Sequence, residues 1–215
     1  MTKESQLNEI VDAGVVAVIR TDNAEELVNI CRAMVDGGIK GVEITMTSPG
    51  AIEAIHEASK VLKGKAIIGA GSVLDPETAR AAMLAGADFI VGPVVNLEVI
   101  KTCKRYGRIV IPGAFTPTEI LQAWEAGADV VKVFPATKLG PSFIRDVLGP
   151  LPQVKLTPTG GVTLDNLGEF LKAGAVFVGV GTALVNKRLV AEGNWAELTR
   201  VAEQYVEAAR VAGAC

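Results

Sequence analysis

Two side chains of opposite charge lie in short apolar stretches that are typical of buried strands, Lys132 in VVKVFPA and Glu43 in GVEIT. Because successive strand residues point to opposite faces, Lys132 shares a face with Val130 and Phe134. Burial among such neighbours favours the neutral amine, which attacks a carbonyl carbon to form a Schiff base. We therefore predict that Lys132 is a nucleophile, rather than a lysine at a strand end that extends into water.

The strand around Glu43 alternates between polar and apolar residues. One face consists of Glu43, Thr45 and Thr47, and the other of Val42, Ile44 and Met46. Because the apolar face suits contact with helices, Glu43 is predicted to face the same interior as Lys132. A carboxylate beside the amine would transfer protons while an imine forms and a carbon–carbon bond breaks. The alternative is a buried Lys–Glu ion pair without a catalytic role, which contributes little net stability.

Short apolar runs alternate with longer amphipathic ones along the whole chain. They predict strands at 15–20, 41–46, 66–71, 89–93, 109–114, 130–135, 155–160 and 177–181. Helices are predicted at 4–13, 24–36, 50–61, 76–85, 97–105, 117–126, 141–148, 164–173 and 195–211. This order predicts a single domain over residues 1–215, an α/β fold of the (β/α)8 TIM barrel type with an extra N-terminal helix. A doubly wound open sheet is the runner-up, but no G-x-G-x-x-G fingerprint follows the first strand.

Helix boundaries are marked by capping residues. The predicted N-caps precede prolines, in Ser48-Pro49, Asp75-Pro76 and Thr116-Pro117. Glu119 completes a capping box with Thr116, and Thr163 is predicted to cap the helix that begins near Leu164. The predicted left-handed glycines after helices are Gly86, Gly127 and Gly174.

Glycines also follow the last two predicted strands, as Gly160-Gly161 and as Gly181-Thr182. In a (β/α)8 barrel the active site lies at the carboxyl ends of the strands, and the loops after strands 7 and 8 are the usual phosphate site. These glycines therefore favour an anionic substrate. Arg20, at the end of the first strand, is a candidate second anchor for the anion; the alternative is a surface ion pair.

Bulk composition excludes several classes of protein. The chain has 21 Lys and Arg against 24 Asp and Glu, a net charge of −3, which argues against a general nucleic-acid binder. Cys31, Cys103 and Cys215 fit neither a disulfide framework nor a zinc spacing, so a reduced, cytoplasmic location is predicted. No apolar run is long enough to span a bilayer, and we predict no membrane partner. Neither a metal site nor a cofactor is indicated.

The chain resembles the 2-keto-3-deoxy-6-phosphogluconate (KDPG) and 4-hydroxy-2-oxoglutarate (KHG) aldolases from about residue 10 to residue 185. The matching segments are VVAVIR, GVEITMTSPGA, AIIGAGSVL, IVGP, IPGAFTPTE, VKVFPA, PTGGV and VGVGTAL. The resemblance implies a class I pyruvate aldolase on a (β/α)8 barrel, needing no cofactor, acting on a small keto acid phosphate and assembled as a homotrimer. It also implies that Lys132 forms the Schiff base and that Glu43 transfers protons.

The resemblance also assigns substrate contacts. The implied pocket residues are Arg20, Ser72, Pro93, Phe134, Thr159, Gly160, Gly161, Gly181 and Thr182. Many members have arginine at the position of Thr47, which faces the substrate anion, so Arg20 is expected to contribute more of that binding here. Ser72 replaces the commoner threonine and Thr182 the commoner serine, and both keep the hydroxyl.

Other functions are compatible with the same residues. The 2-keto-3-deoxy-6-phosphogalactonate aldolases look similar, so the preferred substrate stays open among the three keto acids. A rival enzyme hypothesis is a sugar-phosphate isomerase or epimerase, which would show activity without a trappable imine. A hypothesis without catalysis is a phosphate-ligand binding barrel in which Lys132 is permanently paired with Glu43.

Overall fold

The computed structural model describes residues 1–213, which alternate between strands and helices as predicted. The strands are β1 (Val15–Ile19), β2 (Gly41–Thr45), β3 (Ile67–Gly71), β4 (Phe89–Val91), β5 (Ile109–Ile111), β6 (Gly113–Ala114), β7 (Val131–Val133), β8 (Leu156–Pro158) and β9 (Val178–Val180). The helices are α1 (Lys3–Ala13), α2 (Leu27–Asp36), α3 (Ala51–Val61), α4 (Pro76–Ala85), α5 (Leu97–Arg105), α6 (Pro117–Glu125), α7 (Gly140–Leu148), α8 (Leu167–Lys172), α9 (Lys187–Ala191) and α10 (Trp195–Val211). Cys215 lies outside the described residues.

All strand pairs are parallel and form two sheets. The larger sheet has the order β5-β4-β3-β2-β1-β9, and the smaller has the order β6-β7-β8. An isolated parallel bridge joins Thr159, the residue after β8, to Gly179 in the middle of β9. The fold is therefore α/β with parallel sheets and intervening helices, as predicted.

The fifth predicted strand, 109–114, is divided at Pro112 into β5 and β6. Proline has no N–H to donate to a neighbouring strand, so the ladder is interrupted there. The carbonyl of Pro112 still accepts a hydrogen bond from the Lys132 N–H at 2.9 Å. The break thus separates the two sheets while Pro112 keeps a contact with the strand that contains Lys132.

Two hydrophobic clusters lie on opposite faces of the strands. The larger one fills the space between strands and helices and includes Val42, Ile44, Val131 and Val133. The smaller one lies between the strands, on the face that includes Glu43 and Lys132; its members are Leu7, Ile10, Val16, Ile67, Phe89, Val91, Ile109, Ile111, Val130 and Phe177. The predicted alternation of faces around Glu43 and Lys132 is therefore confirmed.

The extra N-terminal helix, α1, covers the amino-terminal ends of the strands. Its Leu7 and Ile10 join the cluster between the strands. Lys3 forms an ion pair with Asp129 at 2.7 Å, and the other carboxylate oxygen of Asp129 accepts from the Val110 N–H. The carboxyl-terminal ends of the strands, where the sequence predicts the active site, are therefore on the opposite side from α1.

Most predicted helix boundaries agree with the structure, and three differ. Asp75 and Thr116 cap α4 and α6, and Thr116 forms the predicted capping box with Glu119. Ser48 does not cap α3, which begins after Gly50; its buried hydroxyl instead accepts from the Thr21 N–H. Two further differences concern α8 and α9, the helices that follow the last two strands.

Helix α8 begins at Leu167 rather than near Leu164, so Thr163 is not its cap. The Thr163 N–H instead donates to the side chain of Asn166, in a turn before the helix. Helix α9 was not predicted, because its five residues are too few to show a helical pattern. Among the helices of residues 1–213, none combines the length and the apolar character that a bilayer span requires.

Candidate active site

Lys132 is the middle residue of β7 and is almost fully buried, with 6% of its surface exposed. Its register neighbours are Gly113 on β6 and Thr157 on β8. Its ammonium nitrogen lies 4.8 Å from the centre of the Phe134 ring. The amine is thus held inside the protein by short strands on both sides, and an aromatic face is its close apolar neighbour.

Glu43 is the middle residue of β2 and is 3% exposed. Burial raises the pKa of its carboxyl above the ordinary value, while the positive charges of Lys132 and, less strongly, Arg20 act in the opposite direction. Its Oε1 atom is buried and has no hydrogen-bond partner among the described residues. A carboxyl in these surroundings accepts and returns a proton more readily than an exposed one.

Gly71 provides the space that the Glu43 carboxyl occupies. A Cβ atom built on Gly71 would collide with that carboxyl, and one built on Gly69 would collide with the Phe89 ring. Both glycines belong to β3, which pairs with β2. A side chain at Gly71 would therefore displace Glu43.

Lys132 and Glu43 line one small cavity between the two sheets, which we call the inner cavity. Its volume is about 10 Å³. It is lined by Val16, Glu43, Phe89, Val91, Ile111, Lys132, Thr157, Thr159, Phe177 and Gly179. The structure therefore brings together the two residues that the sequence predicted as the catalytic pair.

A larger cavity of about 280 Å³, here called the outer cavity, opens at the carboxyl ends of β1, β8 and β9. It is lined by Val18, Arg20, Thr159, Gly160, Gly161, Val162, Thr163, Gly179, Gly181, Thr182, Ala183, Val185 and Lys187. Thr159 and Gly179 line both cavities and so join them. Six predicted substrate contacts meet here: Arg20, Thr159, Gly160, Gly161, Gly181 and Thr182.

Backbone conformation explains two of these glycines. Gly160 and Gly161 have φ of 91° and 75°, the left-handed region in which a side chain is strained. A Cβ on Gly161 would also press against Thr137. The turn after β8 can therefore bring its backbone up to the outer cavity only because both residues are glycine.

Four predicted substrate residues lie outside the linings of both cavities. Thr47 is exposed, and its hydroxyl pairs with that of Thr45 at 3.1 Å. Pro93 is half-buried above Gly113, where any Cβ would strike the Pro93 backbone. Phe134 lies beside Lys132, as the resemblance implied.

Ser72, the fourth of these residues, directly follows Gly71 and is half-buried. Its φ of 58° makes it the one residue other than glycine with positive φ within residues 1–213. This conformation costs on the order of 1 kcal/mol and is concentrated at functional sites. The sequence predicted Ser72 as a contact through the resemblance but gave no sign of this strain.

The described cysteines take no part in this site. Cys31 and Cys103 are buried and free, and burial raises the pKa of each thiol to about 12. Residues 1–213 contain no group of three or more His, Cys, Asp or Glu side chains arranged to bind a metal ion.

Sequence reasoning missed two residues of the site, Gly71 and Lys187. Gly71 belongs to the run IIGAG, in which it shares a face with Gly69 and Ile67, so strand alternation would have placed it beside Glu43. Lys187 follows the predicted phosphate loop by five residues, and only the unpredicted helix α9 brings it to the outer cavity.

A buried amine that shares a cavity with a buried carboxyl, next to an open polar cavity, is suited to covalent chemistry with carbonyl compounds. The family model "KDPG and KHG aldolase" matches residues 7–201. The chain belongs to this family of aldolases and is accordingly a lyase.

Individual relatives agree with this assignment. The 2-dehydro-3-deoxy-phosphogluconate aldolase of Treponema pallidum is 36% identical over 90% of this chain and 92% of its own length. The 2-dehydro-3-deoxy-6-phosphogalactonate aldolase of Escherichia coli K12 is also 36% identical, over 79% and 83%. The KDPG aldolase of Legionella pneumophila, solved with pyruvate captured at low pH as a covalent carbinolamine, has a TM-score of 0.84 at 28% identity, over 91% and 96%.

Proposed function

We propose that the protein is a class I aldolase that reversibly cleaves KDPG into pyruvate and glyceraldehyde 3-phosphate, and that it also cleaves KHG into pyruvate and glyoxylate. The observation that carries the proposal is that Lys132 and Glu43 share the inner cavity, which adjoins the outer cavity through Thr159 and Gly179. The carbinolamine captured in the Legionella relative supports the same chemistry.

The reaction begins when Lys132 passes a proton to Glu43 and its amine attacks the keto carbon of the substrate. The hydroxyl of the carbinolamine takes a proton from Glu43 and departs as water, which leaves a protonated imine and an ionised Glu43. Glu43 then takes the proton from the hydroxyl on the fourth carbon, directly or through a water molecule, as the bond between the third and fourth carbons breaks. The electron pair of that bond moves into the imine and leaves an enamine of pyruvate, while the aldehyde departs. Protonation of the enamine and hydrolysis of the imine release pyruvate.

The protonated imine accepts the electron pair, so the mechanism requires no metal ion. We infer that the enzyme is independent of metals and of organic cofactors. Activity that is unchanged after treatment with EDTA supports this inference, and loss of activity that added divalent metal restores contradicts it.

The proposal assigns the remaining predicted contacts by their place along the two cavities. Phe134 packs beside the imine, and Thr159 holds substrate oxygens between the cavities. The phosphate end binds at Gly160, Gly161, Gly181, Thr182 and Arg20. Thr47, Ser72 and Pro93 are assigned to the pyruvate end, since they follow β2, β3 and β4.

A second candidate substrate is 2-keto-3-deoxy-6-phosphogalactonate, because the E. coli relative with that name has the same 36% identity as the gluconate enzyme of Treponema, over 79% of this chain against 90%. The two substrates differ in the configuration of a carbon–oxygen bond at the cleaved position. The Lys132 chemistry is the same for both. Steady-state assays with each substrate distinguish them.

We further propose that the described residues form one domain in which the two sheets close into a single eight-stranded (β/α)8 barrel. The chain runs directly from β5 into β6 through Pro112, and the Thr159–Gly179 bridge connects β8 with β9. Both gaps between the sheets are thus spanned, which supports closure.

The homotrimer that the resemblance implied is also part of the proposal. Four apolar side chains at the carboxyl ends of β3, β4 and β6 are between 41% and 56% exposed: Leu74, Val94, Leu97 and Phe115. Asn96 donates to the Leu74 carbonyl at 2.9 Å and so joins two of these loops. Apolar side chains grouped on neighbouring loops favour a protein contact.

A cytoplasmic location is proposed on the cysteine pattern described above.

Steady-state cleavage of KDPG and KHG tests the function. We expect pyruvate from both substrates with the wild type, and a loss of at least about 10³-fold in kcat with Lys132→Met, because the covalent step is removed. A protein that produces no pyruvate from any of the three keto acids would contradict the proposal. His56→Gln serves as the control, because His56 is exposed on α3 and belongs to the lining of neither cavity.

A further inference from the structure

Lys187 lies where the outer cavity meets a neighbouring cavity of about 270 Å³, which we call the side cavity. The side cavity is lined by Arg20, Thr21, Asp22, Asn23, Glu26, Val185, Lys187, Val190 and Ala191. Arg20, Val185 and Lys187 line both cavities. Among the residues that line either cavity, Arg20 and Lys187 are the cations, and both belong to both linings.

The ion pair that Lys187 forms is weak. Its nitrogen is 3.8 Å from a carboxylate oxygen of Asp22, and the two side chains are 75% and 97% exposed. Exposed pairs of this kind contribute little stability. The neighbouring Arg188, in contrast, binds Glu192 at 2.7 Å along the same helix. An incoming anion can therefore displace Asp22 from Lys187 at little cost.

Lys187 is also placed unfavourably for its helix. It is the first residue of α9, and the first turn of that helix contains no acidic residue. A positive charge in the first turn opposes the helix dipole. The stability of α9 therefore does not explain a lysine here, and such local conflicts are expected where a residue serves a function.

Other residues that line the outer cavity also suit an anion. Gly160 and Gly161 expose backbone there because they have no side chains, and Thr182 supplies a hydroxyl. Neither Arg20 nor Lys187 belongs to the lining of the inner cavity. The cations therefore act on the end of the substrate away from the imine. KDPG has its phosphate dianion at that end, whereas KHG has no phosphate.

We propose that Lys187, which lines the outer cavity with the glycines and with Arg20, binds the terminal phosphate and makes phosphorylated keto acids the preferred substrate class. The proposal rests on the aldolase function proposed above and selects among its substrates. Charge-assisted hydrogen bonds from lysine to phosphate are stronger than neutral ones, and loss of one corresponds to about a tenfold change in binding.

The test compares kcat/KM for KDPG with kcat/KM for KHG, in the wild type and in Lys187→Met. We expect the wild type to favour KDPG and the variant to reduce the ratio about tenfold, mainly through KM for KDPG. Lys187→Arg should retain most of the preference, because it keeps the charge. Lys101→Met is the matched control: Lys101 also has a loose exposed ion pair, at 3.6 Å, but lies on α5. It should leave the ratio unchanged.

Inorganic phosphate provides a second readout. As a competitive inhibitor of KHG cleavage, it should bind about tenfold more weakly to Lys187→Met than to the wild type or to Lys101→Met. A ratio and an inhibition constant within twofold of the wild type in Lys187→Met would overturn the proposal, as would a wild type that prefers KHG. Both results leave the aldolase function intact. A wild type that cleaves neither of these substrates nor 2-keto-3-deoxy-6-phosphogalactonate overturns the aldolase function and the role of Lys187 with it.

Discussion

The buried carboxyl of Glu43 lies between a glycine and a lysine rather than among hydrogen-bond donors. Gly71 provides its space, Lys132 lines the same inner cavity, and Oε1 has no hydrogen-bond partner among the described residues. Ionisation is therefore supported mainly by the positive charges of Lys132 and Arg20. This balance is suited to a group that must gain and lose a proton in each turnover.

Glu43→Gln should lower kcat by about 10²- to 10⁴-fold, because a neutral amide cannot accept the proton of the substrate hydroxyl. In the wild type, the raised pKa of Glu43 should place the acid limb of the kcat/KM profile, which reports the free enzyme, above the ordinary glutamate value of 4.5. Activity falls on the acid side, because the protonated carboxyl is no longer a base. The residual kcat/KM of the variant, measured from pH 4 to 8, should lack this limb; an unchanged limb would contradict the role of Glu43.

Gly71→Ala should reduce kcat/KM by about 10²-fold, because the new methyl group displaces the Glu43 carboxyl from the amine of Lys132. The far-ultraviolet circular dichroism spectrum and the elution volume show whether the variant is folded. Gly168→Ala is the control, since a Cβ at Gly168 meets only ordinary contacts. Wild-type activity in a folded Gly71→Ala variant would show that Glu43 does not need its present position.

At the scale of secondary structure, the sequence predicted the elements with a strong periodic pattern. The alternation around Glu43 and Lys132 predicted the correct faces, and Asp75-Pro76 and Thr116-Pro117 predicted helix starts. Short elements were less predictable. Helix α9 has five residues and no apolar period, so Lys187 was missed. The apolar residues on both sides of Pro112 predicted one continuous strand, but the structure divides it there into β5 and β6.

Asp75→Ala should destabilise the protein by about 1 kcal/mol, the usual cost of losing an N-cap. The Thr78 N–H donates to the Asp75 carboxylate at 2.6 Å, and this bond, with that from the Thr78 hydroxyl, lowers the pKa of Asp75. Because the folded pKa is lowered, the stabilisation is present above the unfolded value of about 3.9 and is lost as the pH falls through the folded one. Urea unfolding at pH 7 and pH 3 measures both effects. If the free energies of unfolding of the wild type and of Asp75→Ala differed by the same amount at pH 7 and pH 3, the role of Asp75 as a charged cap would be contradicted.

At the scale of the whole molecule, the sequence predicted that Lys132 meets Glu43 and that Arg20 meets the glycine loops, but four other predicted contacts lie outside the linings of both cavities. Strand alternation and strand ends brought Lys132, Glu43 and Arg20 to one end of the fold. The space that Gly71 leaves and the strain at Ser72 depend on contacts between neighbouring strands, which one sequence does not reveal. The exposed apolar group that includes Val94 and Phe115 likewise emerges only when separate loops meet.

Val94→Asp should dissociate the proposed trimer, because a carboxylate would be buried against an apolar surface of a second chain. Val94 is 54% exposed in the isolated chain, so the monomer should still fold. Sedimentation equilibrium should give three chains per particle for the wild type and one for the variant. Leu84→Asp is the control, since Leu84 is exposed on α4, away from these loops. A wild type that sediments as a monomer would contradict the assembly.

The central claim, a covalent imine on Lys132, is tested most directly by adding pyruvate and sodium borohydride and mapping the adduct by mass spectrometry. We predict that one pyruvate-derived group becomes irreversibly attached to Lys132, that activity is lost in parallel, and that Lys132→Met forms no adduct. An enzyme that keeps its activity and acquires no adduct, or acquires it on another lysine, would contradict the claim.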